Sequence, residues 1–320
     1  MTAEKTVEVV LPVHNELGNI PELLARFDAL KARLPAGVKL RFLFVDDRST
    51  DGSTELLITL ASQRDDVRSI RLSGNFGHQA ALTCGIDHAR GDAVVLMDAD
   101  LQDDPDAVPL LIQGWLSGSK VVLVQRGQRR EGLLFRVLQA VFYRMYRAVS
   151  ETALTANVGT FCLLDHAALT ELRAYHERAR YLPGLVARLG FSRTLITVDR
   201  KERHSGETRV GLLGQIRLGL NGIFAFSSAP LELVFWLGLA LVSVLTTGAL
   251  IIASIRVWTE LAIPGWASTL AAILFLGGVQ LFCTGLLGAY VARIYVEAKG
   301  RPIYHVEDEH PPRPDEKLRP

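Results

Sequence analysis

Two carboxylates one residue apart, Asp98 and Asp100, follow the apolar run 93–97 in the stretch AVVLMDADLQDDP. Carboxylates at this spacing can share a divalent cation with a diphosphate. Magnesium takes one or two carboxylates plus phosphate oxygens, and manganese accepts the same ligands. Gln102 could add a neutral oxygen. A solvated turn would use the same residues differently, since Asp103 or Asp104 before Pro105 suits a helix start. A second acidic group, Asp46-Asp47, closes the run 40–45 and opens the segment Arg48-Ser49-Thr50-Asp51-Gly52-Ser53. A carboxylate here could accept a hydrogen bond from a base NH or a ribose hydroxyl. Asp51 and Ser53 read instead as turn or helix-capping residues.

The elements that must position these groups alternate. Residues 7–13, 40–45, 67–72 and 93–97 read as strands, and residues 19–34, 54–60 and 79–89 carry helical spacing. Strands alternating with helices predict an α/β fold, a mostly parallel sheet with helices on both faces. Ligands of such sheets bind outside the carboxyl ends of the strands. The polar groups His14-Asn15-Glu16, Asp46-Asp47, Gly74-Asn75 and Asp98-Ala99-Asp100 all fall at those ends. No Gly-x-Gly-x-x-Gly follows the first strand and no Gly-Lys-Ser/Thr occurs, so dehydrogenase and phosphate-loop chemistry has no support.

The composition averages unlike parts. The chain has 320 residues, 35 basic against 34 acidic, and 49% hydrophobic residues. Its mean hydropathy of +0.21 is high for a soluble protein. The near-neutral balance gives no argument for nucleic acid. Cys84, Cys162 and Cys283 form neither a disulfide framework nor a zinc pattern. The apolar excess sits in residues 231–255 and 266–292, each longer than the roughly 20 residues that cross a bilayer. Their connector, 256–265, is short and carries only Arg256 and Glu260 as charges. The flanks are richer in Arg and Lys, so the two spans predict a hairpin with the N-terminal part and the tail cytoplasmic. The N-terminal stretch MTAEKTVEVVLPVHNE holds no apolar run of signal-peptide length. The predicted organisation is a cytosolic domain over 1–209, an amphipathic juxtamembrane segment over 210–229, two transmembrane helices within 230–296 and a polar tail over 297–320. Residues 307–320, charged and Pro-rich, read as disordered. Residues 133–149 also form an amphipathic stretch. There Arg136, Arg144 and Arg147 punctuate apolar positions, as at an interface with lipid headgroups or on an ordinary surface helix.

Four blocks in order carry a resemblance: Pro12-Val13-His14-Asn15-Glu16; Val45-Asp46-Asp47-Arg48-Ser49-Thr50-Asp51-Gly52-Ser53; Asn75-Phe76-Gly77-His78-Gln79-Ala80-Ala81; and Met97-Asp98-Ala99-Asp100-Leu101-Gln102-Asp103. The chain resembles family 2 glycosyltransferases of the GT-A fold. It is most similar to membrane-anchored polyprenyl-phosphate glycosyltransferases, such as dolichyl-phosphate mannose synthases and bacterial undecaprenyl-phosphate glucosyltransferases. The resemblance implies that Pro12, His14, Glu16, Asp46, Asp47, Asn75 and Gln79 line the nucleotide-sugar site. It implies that Asp98 bridges nucleotide and metal, and that Asp100 and Gln102 ligate Mg²⁺ or Mn²⁺. Arg126 and Arg136 would belong to the acceptor-phosphate or diphosphate site. Arg203 matches the arginine of a family Arg-x-x-Gly-Glu-Ser-Lys block. Arg209 stands where the family has lysine, a planar fork in place of a point charge. Thr160 and Cys162 replace an acid and an arginine of another block, so neither receives a catalytic role.

The resemblance implies inverting transfer of a hexose, best matched by glucose from UDP-glucose, to undecaprenyl phosphate at the cytoplasmic face of the inner membrane. The partners implied are a nucleotide diphosphate sugar, polyprenyl phosphate and the lipid bilayer, with no nucleic acid. Glycine-rich spans and related bacterial enzymes imply a homo-oligomer such as a tetramer. The alternatives are a GDP-mannose-dependent synthase and a nucleotide-sugar-binding scaffold without catalysis. A Gln-x-x-Arg-Trp block, which marks processive polysaccharide synthases, is absent.

Overall fold

The computed structural model describes residues 4–126, 158–178, 180–198 and 265–311, with scattered helical positions between 234 and 251. These residues fall into two compact units. The first holds the sheet, its helices and the chain from residue 302 onward; the second holds a long apolar helix.

The first unit begins β1 (Lys5–Val13), α1 (Asn19–Lys31), β2 (Val38–Asp46), α2 (Ser53–Gln63), β3 (Val67–Leu72), α3 (His78–His88) and β4 (Ala93–Leu96). Every strand and helix expected in this half is present, with ends shifted by up to three residues. Helix α1 stops at Lys31 rather than at residue 34. A short 3₁₀ turn (Pro105–Ala107) leads into α4 (Val108–Leu116). Then follow β5 (Val121–Arg126), β6 (Val158–Asp165), α5 (His166–Ala174), α6 (Leu182–Arg188), β7 (Arg193–Val198) and, near the C-terminal end, β8 (Val306–His310).

The sheet has eight strands in the order β7-β5-β6-β4-β1-β2-β3-β8. Strands β4, β1, β2 and β3 run parallel, as the alternation of strand and helix requires. Strand β6 lies antiparallel to β4 and β5, and β8 antiparallel to β3. Residues 7–13 of β1 are all buried, which is why that run is apolar without alternation apart from Glu8. On one face, Phe27 of α1 stacks on Phe42 of β2 with centroids 4.8 Å apart. On the other, α3 presses on β1 at Gly85, where a Cβ would stand 2.2 Å from Val10 Cγ1.

The tail is not disordered throughout. Residues 306–310 are the edge strand β8, and the reason is electrostatic as well as backbone pairing. Arg68 Nη2 donates to Glu309 Oε1 at 2.7 Å, and Arg68 Nη1 donates to the buried Glu8 of β1 at 2.9 Å. A carboxylate that looks like a solvated tail charge belongs to a Glu8–Arg68–Glu309 cluster, which Arg90 joins through its guanidinium at 3.2 Å from Glu309.

The second unit holds α7 (Trp266–Ala298). Its segment Phe275–Ala298 contains an 18-residue stretch with a mean hydropathy of 1.6, and none of that stretch is buried. At 1.5 Å per residue the 24 residues of the segment rise about 36 Å, more than the roughly 30 Å of a bilayer core. It is the single helix among the described residues that is long and apolar enough to cross a membrane. Within the expected first span, 231–255, the described positions fall between 234 and 251 and are helical, whereas the amphipathic stretches 133–149 and 210–226 lie outside the described residues.

Candidate functional site

The strand order reverses at β1. The chain runs from β1 to β2 and β3 on one side, then returns to place β4 on the other. A crevice opens at such a switch point, at the carboxyl ends of the strands. His14 directly follows β1, and Asp98 comes two residues after β4. Three non-glycine residues among those described adopt left-handed backbone: Asn15 (φ 61°), Arg48 (φ 58°) and Leu101 (φ 59°). All three lie in the loops that follow β1, β2 and β4. Such conformations cost about 1–3 kcal/mol each and persist where surrounding structure enforces them, often at functional sites.

Here the enforcement is a lacing of side chains between loops. Asn15 N donates to Ser49 Oγ (3.0 Å), and Thr50 N donates to Asn15 Oδ1 (2.7 Å). Glu16 N donates to Ser53 Oγ (3.1 Å), and Leu17 N to Asp51 Oδ2 (3.1 Å). Asp46 is buried, and its two oxygens accept from Ser49 N (2.9 Å) and Thr54 Oγ1 (2.6 Å). Asp47, also buried, accepts from Phe76 N (2.7 Å) and Gly77 N (2.8 Å), and so holds the loop after β3. Gly77 takes φ 92° to turn that loop into α3. The Asp47 carbonyl accepts from His14 Nδ1 at 3.0 Å. That bond requires the proton on Nδ1, and Nε2 faces Asn75 Nδ2 at 3.2 Å.

The floor of the crevice is acidic. Burial raises the Glu16 carboxyl above its ordinary pKa, and the charges of Asp100, Asp51 and Asp98 raise it further against the hydrogen bond from Asn19. The four carboxylates therefore act on one another, and their joint field favours a cation. His78, the first residue of α3, places Nε2 2.8 Å from Asp98 Oδ1. Burial works against its imidazolium, but the hydrogen bond and charge of Asp98, with Asp100 and Asp47, hold its pKa above the usual value. Asp100 accepts from Gln102 N (3.0 Å) and from the Gln102 side-chain amide (2.5 Å).

No three His, Cys, Asp or Glu side chains among the described residues are grouped to hold a metal by themselves. The donor set fits a hard cation shared with a diphosphate: two carboxylates at one strand end, an amide beside them and a negative field around them. It does not fit a cage built of protein ligands alone.

The crevice thus gathers His14, Glu16, Asp46, Asp47, Asn75, Asp98, Asp100 and Gln102 from four loops. Pro12 lies buried in β1 opposite Val45 of β2, and Gln79 follows His78 with a buried Oε1 that has no hydrogen-bond partner among the described residues. Arg126 ends β5. Arg136, Arg203 and Arg209 lie outside the described residues. Thr160 and Cys162 line a small apolar cavity with Leu96, Leu123 and Leu182. Burial pushes the Cys162 thiol up to about 12, so it is a neutral packing group rather than a nucleophile. Sequence reasoning did not single out His78. The available sign was an imidazole at a helix start, directly after the glycine turn.

Comparison with known proteins bears on the same residues. The family described as Glycosyl transferase family 2 matches residues 8–173, which spans all four loops. An uncharacterized glycosyltransferase of Synechocystis is 35% identical over 96% of this chain and 96% of its own length. A prophage bactoprenol glucosyl transferase homolog of Escherichia coli is 33% identical, over 94% of this chain and 98% of its own. A bactoprenol glucosyl transferase of Shigella phage SfII is also 33% identical, over 95% and 98%.

Proposed function

The chain belongs to glycosyl transferase family 2, and we propose that it transfers glucose from UDP-glucose to a polyprenyl phosphate, with inversion at the anomeric carbon. The observation that carries this reading is the acidic crevice at the β1–β4 switch point, in a chain whose relatives of nearly equal length are named bactoprenol glucosyl transferases.

The chemistry needs little from the protein beyond charge management. A phosphomonoester has its second pKa near 6, so the acceptor is largely a dianion at neutral pH. An acceptor oxygen forms the new bond to the anomeric carbon as the bond from that carbon to the nucleotide diphosphate breaks. No general base is required, and UDP departs with the bonding pair. Asp98, Asp100 and Gln102 would hold Mg²⁺ or Mn²⁺, which when bound supplies positive charge to the diphosphate. Arg126, Arg136, Arg203 and Arg209 would hold the acceptor phosphate and the diphosphate against their mutual repulsion. Pro12, His14, Glu16, Asn75 and Gln79 would line the nucleotide-sugar pocket, and Asp46 and Asp47 would shape it through the loops they tie.

The acceptor lives in a bilayer, and α7 suits that address. The reading includes a second span over 231–255, so that the two form a hairpin with the catalytic domain on the cytoplasmic side. This rests on the apolar length of both segments and the basic residues that flank them.

Reconstituted full-length protein, given labelled UDP-glucose, undecaprenyl phosphate and Mg²⁺ or Mn²⁺, should transfer label into an organic-extractable lipid. Label transferred from GDP-mannose instead would replace the sugar assignment. Failure with every nucleotide sugar by folded protein would leave a binding scaffold. Asp100→Ala should lower turnover by about a hundredfold or more while membrane insertion is unchanged. Full activity in that variant would remove Asp100 from the metal site.

A further inference from the structure

Residues 302–311 follow the apolar helix in sequence yet belong to the unit that contains the crevice. Strand β8 runs antiparallel to β3, with Ser69 opposite His310 and Leu72 opposite Val306. This register brings residues 304 and 305 to the carboxyl end of β3, where the loop 73–77 begins. Ser73 N donates to the His305 carbonyl at 2.9 Å. The His305 ring lies 5.9 Å from the Phe76 ring, centroid to centroid. Phe76 and Gly77 are the residues whose NH groups hold Asp47. Glu307 is 3.4 Å from Arg71 Nε and 4.0 Å from Arg48, and Arg48 in turn donates to the Ser73 carbonyl. Tyr304 OH donates to Asp87 Oδ2 of α3 at 3.0 Å. The segment therefore touches the β3–α3 loop at Ser73 and Phe76, and the C-terminal end of α3 at Asp87.

We propose that residues 304–310 are a positioning element of the nucleotide-sugar site, in which His305, through Phe76, fixes the loop 73–77 and so sets the affinity for the nucleotide. The inference rests on the reading of the crevice as a nucleotide-sugar site. His305 is a positioning residue here, since its contact is with the loop and not with the reacting atoms.

The segment has two separable anchors. The Glu309–Arg68–Glu8 cluster lies far along β3 from the loop and secures the strand. The His305–Phe76 pair lies at the loop itself. Removing the first should lower stability. Removing the second should change nucleotide affinity.

The test uses the full-length protein in lipid nanodiscs, with UDP titrated by calorimetry, steady-state kinetics in UDP-glucose and thermal unfolding. His305→Ala should weaken UDP binding and raise the KM for UDP-glucose about two- to tenfold, the size expected for one ring pair. Its kcat and Tm should match wild type, and His305→Phe should restore affinity. Glu309→Gln should lower Tm. The inference is overturned if His305→Ala binds UDP as wild type does, or if weakened binding follows a fall in Tm and His305→Phe does not restore it. Wild-type protein that binds UDP beside an equally tight His305→Ala sinks the positioning role alone. Wild-type protein that binds no nucleotide sinks the reading of the crevice, and this inference with it.

Discussion

The strand-end crevice and the helix α7 are built by opposite uses of water. In the crevice, buried Asp46 has both carboxylate oxygens satisfied within the turn from β2 into α2, buried Asp47 has both satisfied by the loop after β3, and β1 is sealed beneath them. Helix α7 leaves Leu281, Phe282, Leu287 and Ile294 more than half exposed. Its serviced groups are its own: Thr269 and Thr284 hydroxyls donate to carbonyls four residues back. The first region is ordered by long-range contacts, whereas the second satisfies its backbone locally and presents apolar side chains outward. That is the pattern a hydrocarbon solvent demands. One chain with 49% hydrophobic residues thus divides them between a packed core and an outward-facing apolar helix.

Three perturbations sharpen the contrast. The largest effect should come from Arg68→Leu, which removes the cation that Glu8 and Glu309 share and leaves Glu309 beside Arg90, at 3.2 Å. Loss of one partner from such a cluster costs about 3–5 kcal/mol, readable by denaturant unfolding of the first unit. A loss under 1 kcal/mol would mean that the cluster is solvated and the tail strand loosely held. Next is Leu287→Lys, near the middle of the apolar segment. A lysine there costs about 2.5–3.5 kcal/mol of insertion. It should reduce resistance to carbonate extraction while UDP binding stays as in wild type. Equal loss of both properties would break the separation between the regions.

The smallest effect should come from Asp165→Ala. Asp165 caps α5 through Ala167 N (3.0 Å) and accepts from Trp115 Nε1 (2.8 Å) and Lys120 Nζ (2.9 Å). Loss of the cap costs about 1 kcal/mol. Burial opposes its ionisation, but those three donors hold its pKa below the ordinary carboxylate value. A lowered folded pKa stabilises above the unfolded value, near 3.9, and that contribution disappears as pH falls through the folded value. The gap between wild type and variant should therefore be constant at neutral pH and close below about pH 4. A gap independent of pH down to 2 would contradict the assigned charge.

The first seven elements of the sheet domain were legible because β1 to β4 are short strand-like runs ended by polar groups, His14-Asn15-Glu16, Asp46-Asp47, Gly74-Asn75 and Asp98-Ala99-Asp100, a signal local to each run. Strand β8 was not. Its sequence, VEDEH, carries three acids in five residues, and the Glu309 side chain is met by Arg68, 241 positions earlier, and by Arg90, 219 positions earlier. Asp46 and Asp47 were marked as site residues on type and place. Their grip on the loops depends on Ser49, Thr54, Phe76 and Gly77, and spacing alone does not reveal which oxygen faces which donor. His78 escaped for the same reason, because its partner Asp98 lies on another strand end.

The central claim is that the acidic crevice and the membrane-adapted helix serve one reaction. Release of UDP from UDP-glucose by the full-length protein in proteoliposomes, with and without undecaprenyl phosphate, tests it most directly. UDP release should depend on the lipid phosphate and match the appearance of lipid-linked glucose one for one. UDP release that is equal without the lipid, or absent with it, would contradict the account.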